Sequence, residues 1–441
     1  MSRSIAAFAA PTLLAFALTG CSDDNSPATA DAPASPNDET TLQKTADGRT
    51  IVKPEQLVVA ARKLHAKNRP GQAVQILNLA IQAKPGLAAA YVERAGIFAQ
   101  TGLLLKAISD MDKAIELAPG RAPLLNTRGY YHLQQRTFPE ALADFNAAVA
   151  ADPEFAVALN NRGLVRVAVE QFDEAIADFD AAARIKPDYW DAINNRGFTR
   201  MQMKRFDEAV ADFSLVIDTA PTYVNSWNNR GLAKLRSGRA DDAIADFTQA
   251  IALSPGSYKH YLHRSQAYKD AGRTAEAQAD VAEVVWLQKL GRLNKKISTN
   301  PSVATHRLER ARHLADGGRM KEALADADAA MTLEPKSAAA MTGKARLLFA
   351  SGDAAAASDL IETAMTAGPL NDTYSLRGDL RMAEGDYDGA IADYTAAKRF
   401  DKGVAQAYVR RAEARRSKGD IQQASADMEQ AASIDSSIQL Q

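Results

Sequence analysis

The sequence repeats itself with a period of about 34 residues over most of its length. Glycines, alanines and prolines recur at that step, and within a unit they stand twelve positions apart. A fixed period of this size is typical of an array of identical supersecondary units, because one unit alone cannot bury its apolar face. The glycines are Gly129, Gly163, Gly197 and Gly231; the alanines are Ala107, Ala141, Ala175, Ala209, Ala243 and Ala277; the prolines are Pro85, Pro119, Pro153, Pro187, Pro221 and Pro255.

Each unit is predicted to form two helices. In one unit Leu159, Gly163 and Leu164 share a face at helical spacing, and Ala175 and Phe179 share a face of the following segment. The small residues allow the two helix axes to approach closely. The proline ends the second helix, since it has no backbone N–H to donate. The predicted fold class is therefore all-α, an α-α superhelix of about eleven helix-turn-helix repeats.

The repeats form two arrays in this interpretation. Seven units fill residues 54–291, and four more fill residues 304–438. The seventh unit has Lys289 where the proline is due, and residues 292–303 interrupt the period. We expect this break to act as a linker that permits an angle between the arrays.

The pattern resembles the tetratricopeptide repeat, and the resemblance covers nearly everything from residue 54 to residue 438. It implies a right-handed α-solenoid in which the first helix of each unit lines a concave groove. Proteins of this kind generally bind segments of other proteins. One subtype of the family binds the acidic tails of cytosolic chaperones through lysine at position 5 and asparagine at position 9, counted from the first residue of a unit. Both residues are absent from these positions here, which argues against that subtype.

An arginine just before the small residue is matched, in nine units, by an aspartate sixteen positions later. The unit at 54 lacks both residues, which suggests that the two side chains meet between paired helices. An arginine ladder for an acidic ligand is the alternative, but such a ladder would not need the aspartates. We predict structural bracing by three central pairs in particular, Arg162 with Asp178, Arg196 with Asp212, and Arg230 with Asp246.

Asparagines occupy positions 5 and 6 of the middle units, the positions that face the groove in tetratricopeptide proteins. An amide side chain both donates and accepts, so a row of them suits the backbone of an extended peptide. The predicted groove residues are Asn126, Asn160, Asn161, Asn194, Asn195, Asn228 and Asn229, with Tyr130, Leu164, Phe198 and Leu232 beside them. The alternative is that the asparagines bridge adjacent helices while the apolar residues fill the superhelix.

The amino terminus has the layout of an export signal. A basic start precedes an apolar run from Ile5 to Leu18, which is too short to span a bilayer comfortably. The run ends in Leu-Thr-Gly-Cys, which resembles the lipobox of bacterial lipoproteins and implies acylation of Cys21. Residues 1–20 are thus a predicted signal peptide, and 21–53 a lipidated, disordered acidic tether. In lipoproteins of enteric-type bacteria an aspartate after the cysteine favours retention at the inner membrane, so the resemblance implies, with Ser22 in that place, the periplasmic face of the outer membrane.

Composition excludes several classes of function. The formal net charge of −1 gives no electrostatic reason to expect a nucleic-acid partner. His260 and His263 stand three residues apart, but no third metal ligand is recognisable beside them. The hydrolase and phosphate-binding signatures are missing. We therefore expect no enzyme activity, no cofactor, no metal and no small-molecule substrate.

These observations predict a lipid-anchored protein of the bacterial cell envelope that binds other proteins. It would serve as an adaptor or scaffold, capturing peptide segments or helices of envelope proteins in the groove of residues 122–257. The alternative is a permanent structural subunit of an outer-membrane, pilus or secretion assembly complex.

Overall fold

The structure is a computed structural model that describes residues 43–44, 50–51 and 53–438. The predicted signal peptide, Cys21 and most of the predicted tether lie outside these residues. Two strands of two residues each precede the repeats, β1 (Gln43–Lys44) and β2 (Thr50–Ile51). They pair antiparallel, with Gln43 opposite Ile51.

Everything else of regular structure in the described part of the chain is α-helix, in antiparallel hairpins. The first hairpins are α1 (Pro54–Ala66) with α2 (Pro70–Ala83), α3 (Ala88–Gln100) with α4 (Leu104–Leu117), α5 (Ala122–Gln134) with α6 (Phe138–Ala151), and α7 (Ala156–Ala168) with α8 (Phe172–Ile185). Then come α9 (Trp190–Gln202) with α10 (Phe206–Thr219), α11 (Val224–Arg236) with α12 (Ala240–Leu253), and α13 (Tyr258–Asp270) with α14 (Thr274–Thr299). The last four hairpins are α15 (Ala304–Asp316) with α16 (Met320–Leu333), α17 (Ala338–Ala350) with α18 (Ala354–Thr366), α19 (Asn371–Glu384) with α20 (Tyr387–Ala396), and α21 (Lys402–Ser417) with α22 (Ile421–Ile434).

The chain divides into two compact units, one ending at Asp280 and the other beginning at Val281. Within each unit successive hairpins pack on one another, so the all-α solenoid predicted from the sequence period is confirmed. Among the described residues no helix combines the length and the hydropathy needed to cross a bilayer.

Local sequence explains where the helices end. Helix α8 ends at Ile185, two residues before Pro187, and Lys186 between them has the extended backbone that a following proline favours. The tight turn inside a hairpin needs a residue in the left-handed region. Glu170 and Lys204 fill it at φ of 62° and 61°, whereas Gly238 fills it with no steric cost.

In the four central hairpins, from α5 to α12, a glycine of the first helix packs against a phenylalanine ring of the second. Phe145, Phe179, Phe213 and Phe247 are fully buried. A Cβ at Gly163 would lie 2.6 Å from Cε1 of Phe179, far inside a normal contact distance. The glycine is therefore needed to bring the first helix onto the ring of the second.

The predicted break at 292–303 is largely helical. Helix α14 runs on to Thr299, twice the length of its counterparts, and α15 begins at Ala304. Lys289 stands where the earlier units have proline, so the backbone keeps its N–H donor and the helix continues. The interruption of the period is thus an extension of one helix followed by a short turn, not a long linker.

Candidate functional site

The repeated arginines and aspartates meet inside the hairpins. In nine hairpins the guanidinium of the first helix forms an ion pair with a carboxylate of the second helix, at nitrogen–oxygen distances of 2.5–2.8 Å. The three central pairs are typical, with side chains about 16% exposed for the arginines and 3–4% exposed for Asp178, Asp212 and Asp246. A charge so deeply buried requires its partner.

Each central aspartate has a second cation. Arg166 donates to Asp178, Arg200 donates to Asp212, and Lys234 pairs with Asp246. These cations lie on the first helix, one helical turn beyond the first arginine. Each of these three carboxylates is thus paired with two cations of its own hairpin.

The same arginines also reach the preceding hairpin. Arg162 donates to Asn146 at 3.1 Å, Arg196 to Asp180, and Arg230 to the hydroxyl of Ser214 at 3.0 Å. Each acceptor lies on the second helix of the neighbouring unit. One guanidinium therefore ties three helices together and couples one repeat to the next.

The hairpin of α17 and α18 departs from this rule. Lys344 replaces the arginine and reaches back to Asp328 at 2.7 Å. Leu360 stands where nine other hairpins have aspartate, so no carboxylate of the same hairpin pairs with Lys344 at that position. The contact to the neighbour is kept while the contact within the hairpin is lost.

The paired asparagines form a ladder between adjacent first helices. Nδ2 of Asn161 donates to Oδ1 of Asn126 at 3.0 Å, and Nδ2 of Asn195 donates to Oδ1 of Asn160 at 3.0 Å. The next rung joins Asn229 to Asn194 at 3.1 Å, and the last joins His263 to Asn228 at 2.8 Å. Every rung links position 5 of one unit to position 6 of the next. These amides bridge neighbouring helices, the alternative that the sequence left open.

Burial limits which asparagines a partner could touch. Asn160 and Asn161 are 1% and 0% exposed, and Asn126 is also buried. Nδ2 of Asn160 and Oδ1 of Asn161 have no hydrogen-bond partner among the described residues, yet they are closed off from the surface. The row expected to read a peptide is therefore, at this end, part of the interior.

The predicted apolar groove residues divide in the same way. Leu164 is buried in the core between α6, α7 and α8, so it fills the array and does not face a partner. Tyr130, Phe198 and Leu232 are half-buried, and each packs by one side on a core cluster. Their remaining surface lies on the face formed by the first helices.

A polar pocket of about 250 Å³ opens on this face between α9, α11 and α13. Its lining combines ladder residues with the starts of two first helices: Asn194, Asn195, Val224, Asn225, Asn228, Asn229, Ser254, Ser257, Lys259 and His260. Asn225 and Lys259 are exposed, whereas His260 is buried. Of the amide row, Asn194, Asn228 and Asn229 are buried here as well and Asn195 is half-buried, so the exposed amide of the pocket is that of Asn225, outside the row.

A second, larger cavity of about 760 Å³ lies between α8, α9 and α10. Trp190, Ile193 and Leu215 supply its apolar lining, with Asp180 and Arg184 at its side. Leu215 belongs to a second helix, so this cavity opens away from the asparagine ladder.

The two histidines of α13 have separate structural roles. His263 ends the ladder, and burial together with the nearby His260, Arg236 and Lys259 lowers its pKa to about 4. Burial also lowers the pKa of His260, whose Nδ1 atom has no partner within the described part of the chain. Within the described residues no cluster of His, Cys, Asp and Glu could hold a metal ion.

Sequence reasoning missed several residues of the pocket. Asn225, Ser254, Ser257 and Lys259 do not recur at the step of the repeat, so the period gave no signal for them. They could be found only by noticing that positions 2, 31 and 34 of adjacent units meet beside position 5.

Family models described as tetratricopeptide repeat match most of the chain. One model matches residues 126–189, 161–224, 194–258 and 228–285. A second matches residues 314–379, and a third matches residues 88–121 and 405–438. Together the matches cover more than half of the sequence. No curated protein matches it.

Solved structures with helical repeats are similar to parts of the chain. YrrB, described as a TPR protein with an unusual peptide-binding site, is 23% identical over 41% of this chain and 92% of its own, with a TM-score of 0.35. A tetratricopeptide repeat protein from Parabacteroides merdae is 19% identical over 59% of this chain and 98% of its own, at 0.40. PilF of Pseudomonas aeruginosa is 19% identical over 47% and 94%, at 0.41.

Proposed function

The chain belongs to the tetratricopeptide repeat family, and from that premise we propose that it is a lipid-anchored adaptor of the bacterial cell envelope that captures segments of other envelope proteins. A repeat scaffold of this kind is suited to protein binding. The captured segment would lie along the face formed by the first helices, from α5 to α13. The protein would have no catalytic role.

The observation that carries this proposal is the combination of surfaces on that face. Phe198 and Leu232 are half-buried apolar side chains on α9 and α11, two of the helices that line a polar pocket with amides, hydroxyls and one cation, and Tyr130 is a half-buried side chain further along the array on α5. Apolar anchors give affinity to a protein interface, and placed polar groups fix the register of the bound chain. The asparagine ladder below holds the first helices at a constant spacing, so the surface is formed before a partner arrives.

The anchoring part of the proposal rests on Cys21. Covalent lipid adds about 0.8 kcal/mol for each buried methylene, and one chain alone binds only marginally. Two or three acyl chains on one residue would hold the protein at the membrane. A Cys21→Ser protein expressed in the native host should leave the membrane fraction and lose labelling by an alkyne fatty acid; retention of both would contradict the anchor.

The proposed binding of a partner is tested by filling the pocket with a larger side chain at an exposed position, which leaves the buried core unchanged. Asn225 is exposed and lines the pocket, so Asn225→Trp should fill it and leave the ladder intact. Leu215→Ser is the matched control, because Leu215 is 47% exposed on a second helix, away from this face. Both variants and the unaltered chain would be purified from membranes of the native host, with bound proteins identified by mass spectrometry.

A captured partner should be recovered with the unaltered chain and the control but not with Asn225→Trp. Recovery of no envelope protein with any of them would contradict the adaptor. If a protein co-purifies in a fixed ratio with all three, the chain is a permanent subunit of an assembly, which is the alternative function.

A further inference from the structure

We infer that the hairpin turns of the first three repeats dock on a membrane surface that contains anionic lipids. We call this surface the basic turn edge and define it as residues 67–72, 101–106 and 135–140. The inference rests on the lipid anchor of the proposed function and adds the surface through which the anchored protein contacts the lipid. It concerns the turns between the two helices of a hairpin and not the face formed by the first helices.

The three turns are equivalent in the repeat and lie side by side. At the same position of each turn stands a residue with a left-handed backbone, namely Asn68, Gly102 and Arg136, at φ of 57°, 78° and 61°. One core cluster joins Leu64, near the end of α1, to Ile97, near the end of α3. Another joins Leu104, at the start of α4, to Tyr131, near the end of α5. The turns that follow these helix ends therefore share one edge of the array.

Two leucines are exposed at the middle turn. Leu103 is 45% exposed and Leu105 is 73% exposed. Three later hairpins have aspartate at the position of Leu105, namely Asp173, Asp207 and Asp241. Packing of the hairpin thus does not require an apolar side chain at that position. Both leucines have apolar surface that would gain free energy by leaving water.

Exposed cations surround these leucines. They are Lys67, Arg69, Lys106 and Arg136, and none of them forms an ion pair within the described residues. Glu140 is the one acidic residue in the sequence of the edge, so four basic residues and one acidic residue give it a formal charge of +3. The edge is therefore both apolar and electrostatically unbalanced.

The corresponding turns of the next three hairpins have the opposite charge. Residues 169–174, 203–208 and 237–242 contain seven acidic and three basic residues, which give a formal charge of −4. The positive charge is thus confined to the hairpins that follow the proposed anchor at Cys21 most closely in the chain. An anionic surface would attract the first three turns and repel the next three.

This combination suits a lipid surface better than a protein partner. Leucine side chains enter the boundary between headgroups and acyl chains, while lysine and arginine reach the headgroup phosphates. The four cations come from three separate turns, so they match a charge that is spread over an area and not one acidic side chain. An anchor at Cys21 would keep the edge at a high local concentration near the membrane, so a weak contact is sufficient.

The test uses the full chain, purified from membranes of the native host and reconstituted in lipid vesicles. Leu105→Cys adds a thiol for a dye whose fluorescence reports polarity, and the unaltered chain gives the background from Cys21, the only other cysteine. Leu79→Cys is the matched control, because Leu79 is 52% exposed in the middle of α2, away from the turns. The vesicles contain phosphatidylcholine alone or phosphatidylcholine with phosphatidylglycerol.

We expect a blue shift of the dye at residue 105 in vesicles with phosphatidylglycerol, a much smaller shift with phosphatidylcholine alone, and none at residue 79. High salt should reduce the shift. Lys67→Gln in the Leu105→Cys chain should weaken docking about fivefold, as expected for one charge near an anionic surface. Arg121→Gln, exposed at the opposite end of the hairpins, should leave docking unchanged.

No shift with phosphatidylglycerol, equal shifts in the two kinds of vesicle, or equal shifts at residues 105 and 79 would overturn the inference. A shift that needs added membrane proteins of the host would assign the edge to a protein partner and would also overturn it. Failure of the proposed anchor gives a different result. In that case the alkyne fatty acid does not label the chain, yet the dye at residue 105 shifts when the purified chain is mixed with phosphatidylglycerol vesicles.

Discussion

Replacing Arg196 with alanine should loosen three helices at once. Its guanidinium binds Asp212 within its own hairpin at 2.5 Å and also binds Asp180 on the preceding hairpin. Burial opposes the charge of Arg196, but the bonds to Asp212 outweigh it and raise its pKa. Removal of the guanidinium leaves Asp212, 3% exposed, with only part of its compensation.

The expected loss of stability depends on the partners that Asp212 keeps in the variant. Breaking one partner of a buried ion pair costs about 3–5 kcal/mol. Arg200 still donates to Asp212 at 2.7 Å, so the loss should be smaller, about 2–3 kcal/mol. Arg205→Ala is the matched control. Its partner Glu208 is 45% exposed, and such surface pairs contribute about 0–1 kcal/mol.

The assay is urea unfolding of the full chain combined with hydrogen exchange resolved by helix. Arg196→Ala should lower the protection of α8, α9 and α10 and leave the hairpin of α21 and α22 unchanged. Asp212→Asn measured alone and with Arg196→Ala would give the coupling energy, which we expect to be about 2 kcal/mol. A loss no larger than that of the Arg205→Ala control, or a coupling near zero, would refute the bracing role.

Three further predictions concern packing and pH. Gly163→Ala should destabilise the chain by about 1–2 kcal/mol in urea unfolding, because its Cβ would meet the ring of Phe179, a clash larger than the gain in helix propensity. As pH falls from 7 to 5, His263 should cost about 1–2 kcal/mol of stability, since its pKa of about 4 in the folded chain lies below the ordinary 6.5 and only the unfolded chain takes up the proton. His263→Asn keeps a donor for Asn228 and should make stability less dependent on pH between 7 and 5. An unchanged slope would mean that other groups cause the pH dependence. Trp286→Ala removes an indole stacked on a histidine of α15 and should reduce hydrogen-exchange protection in α15 and α16 but not in α5 and α6.

The period predicted the fold because it reports directly on stacking. A glycine on one helix and a phenylalanine at a fixed distance along the chain can recur only where the same two helices cross in the same way. The arginine and aspartate series carry equivalent information, and the structure joins Arg196 to Asp212 across that crossing. What repeats in the sequence is therefore what holds each hairpin together.

Contacts between units were harder to predict. The rung from Asn195 to Asn160 spans 35 residues, one more than the period, because it joins position 6 to position 5 of the previous unit. A sequence read unit by unit does not show that offset. The same limit concealed the reach of Arg196 to Asp180, and the burial that removes Leu164 from any binding surface.

The pocket could not be predicted for a different reason. It is built from residues that do not recur, such as Asn225 and Lys259, added to a frame that does. The period distinguishes the residues that recur in every unit from those that vary, but it does not predict which of the variable residues share a surface. Only the turn geometry between α12 and α13 brings Ser254 and Ser257 beside the ladder.

The hairpin of α17 and α18 has a mechanical consequence. Lys344 pairs with Asp328 of the preceding hairpin, but Leu360 carries no charge that could pair with it. This hairpin can therefore open without breaking an ion pair at the arginine–aspartate position between its own two helices. If the chain is pulled from its ends, this repeat should yield before its braced neighbours in the same unit. At about 3.3–3.6 Å for each extended residue, the release of one repeat would lengthen the chain by about 100 Å. A protein that bears load between two partners would thus have a weak point at a defined place.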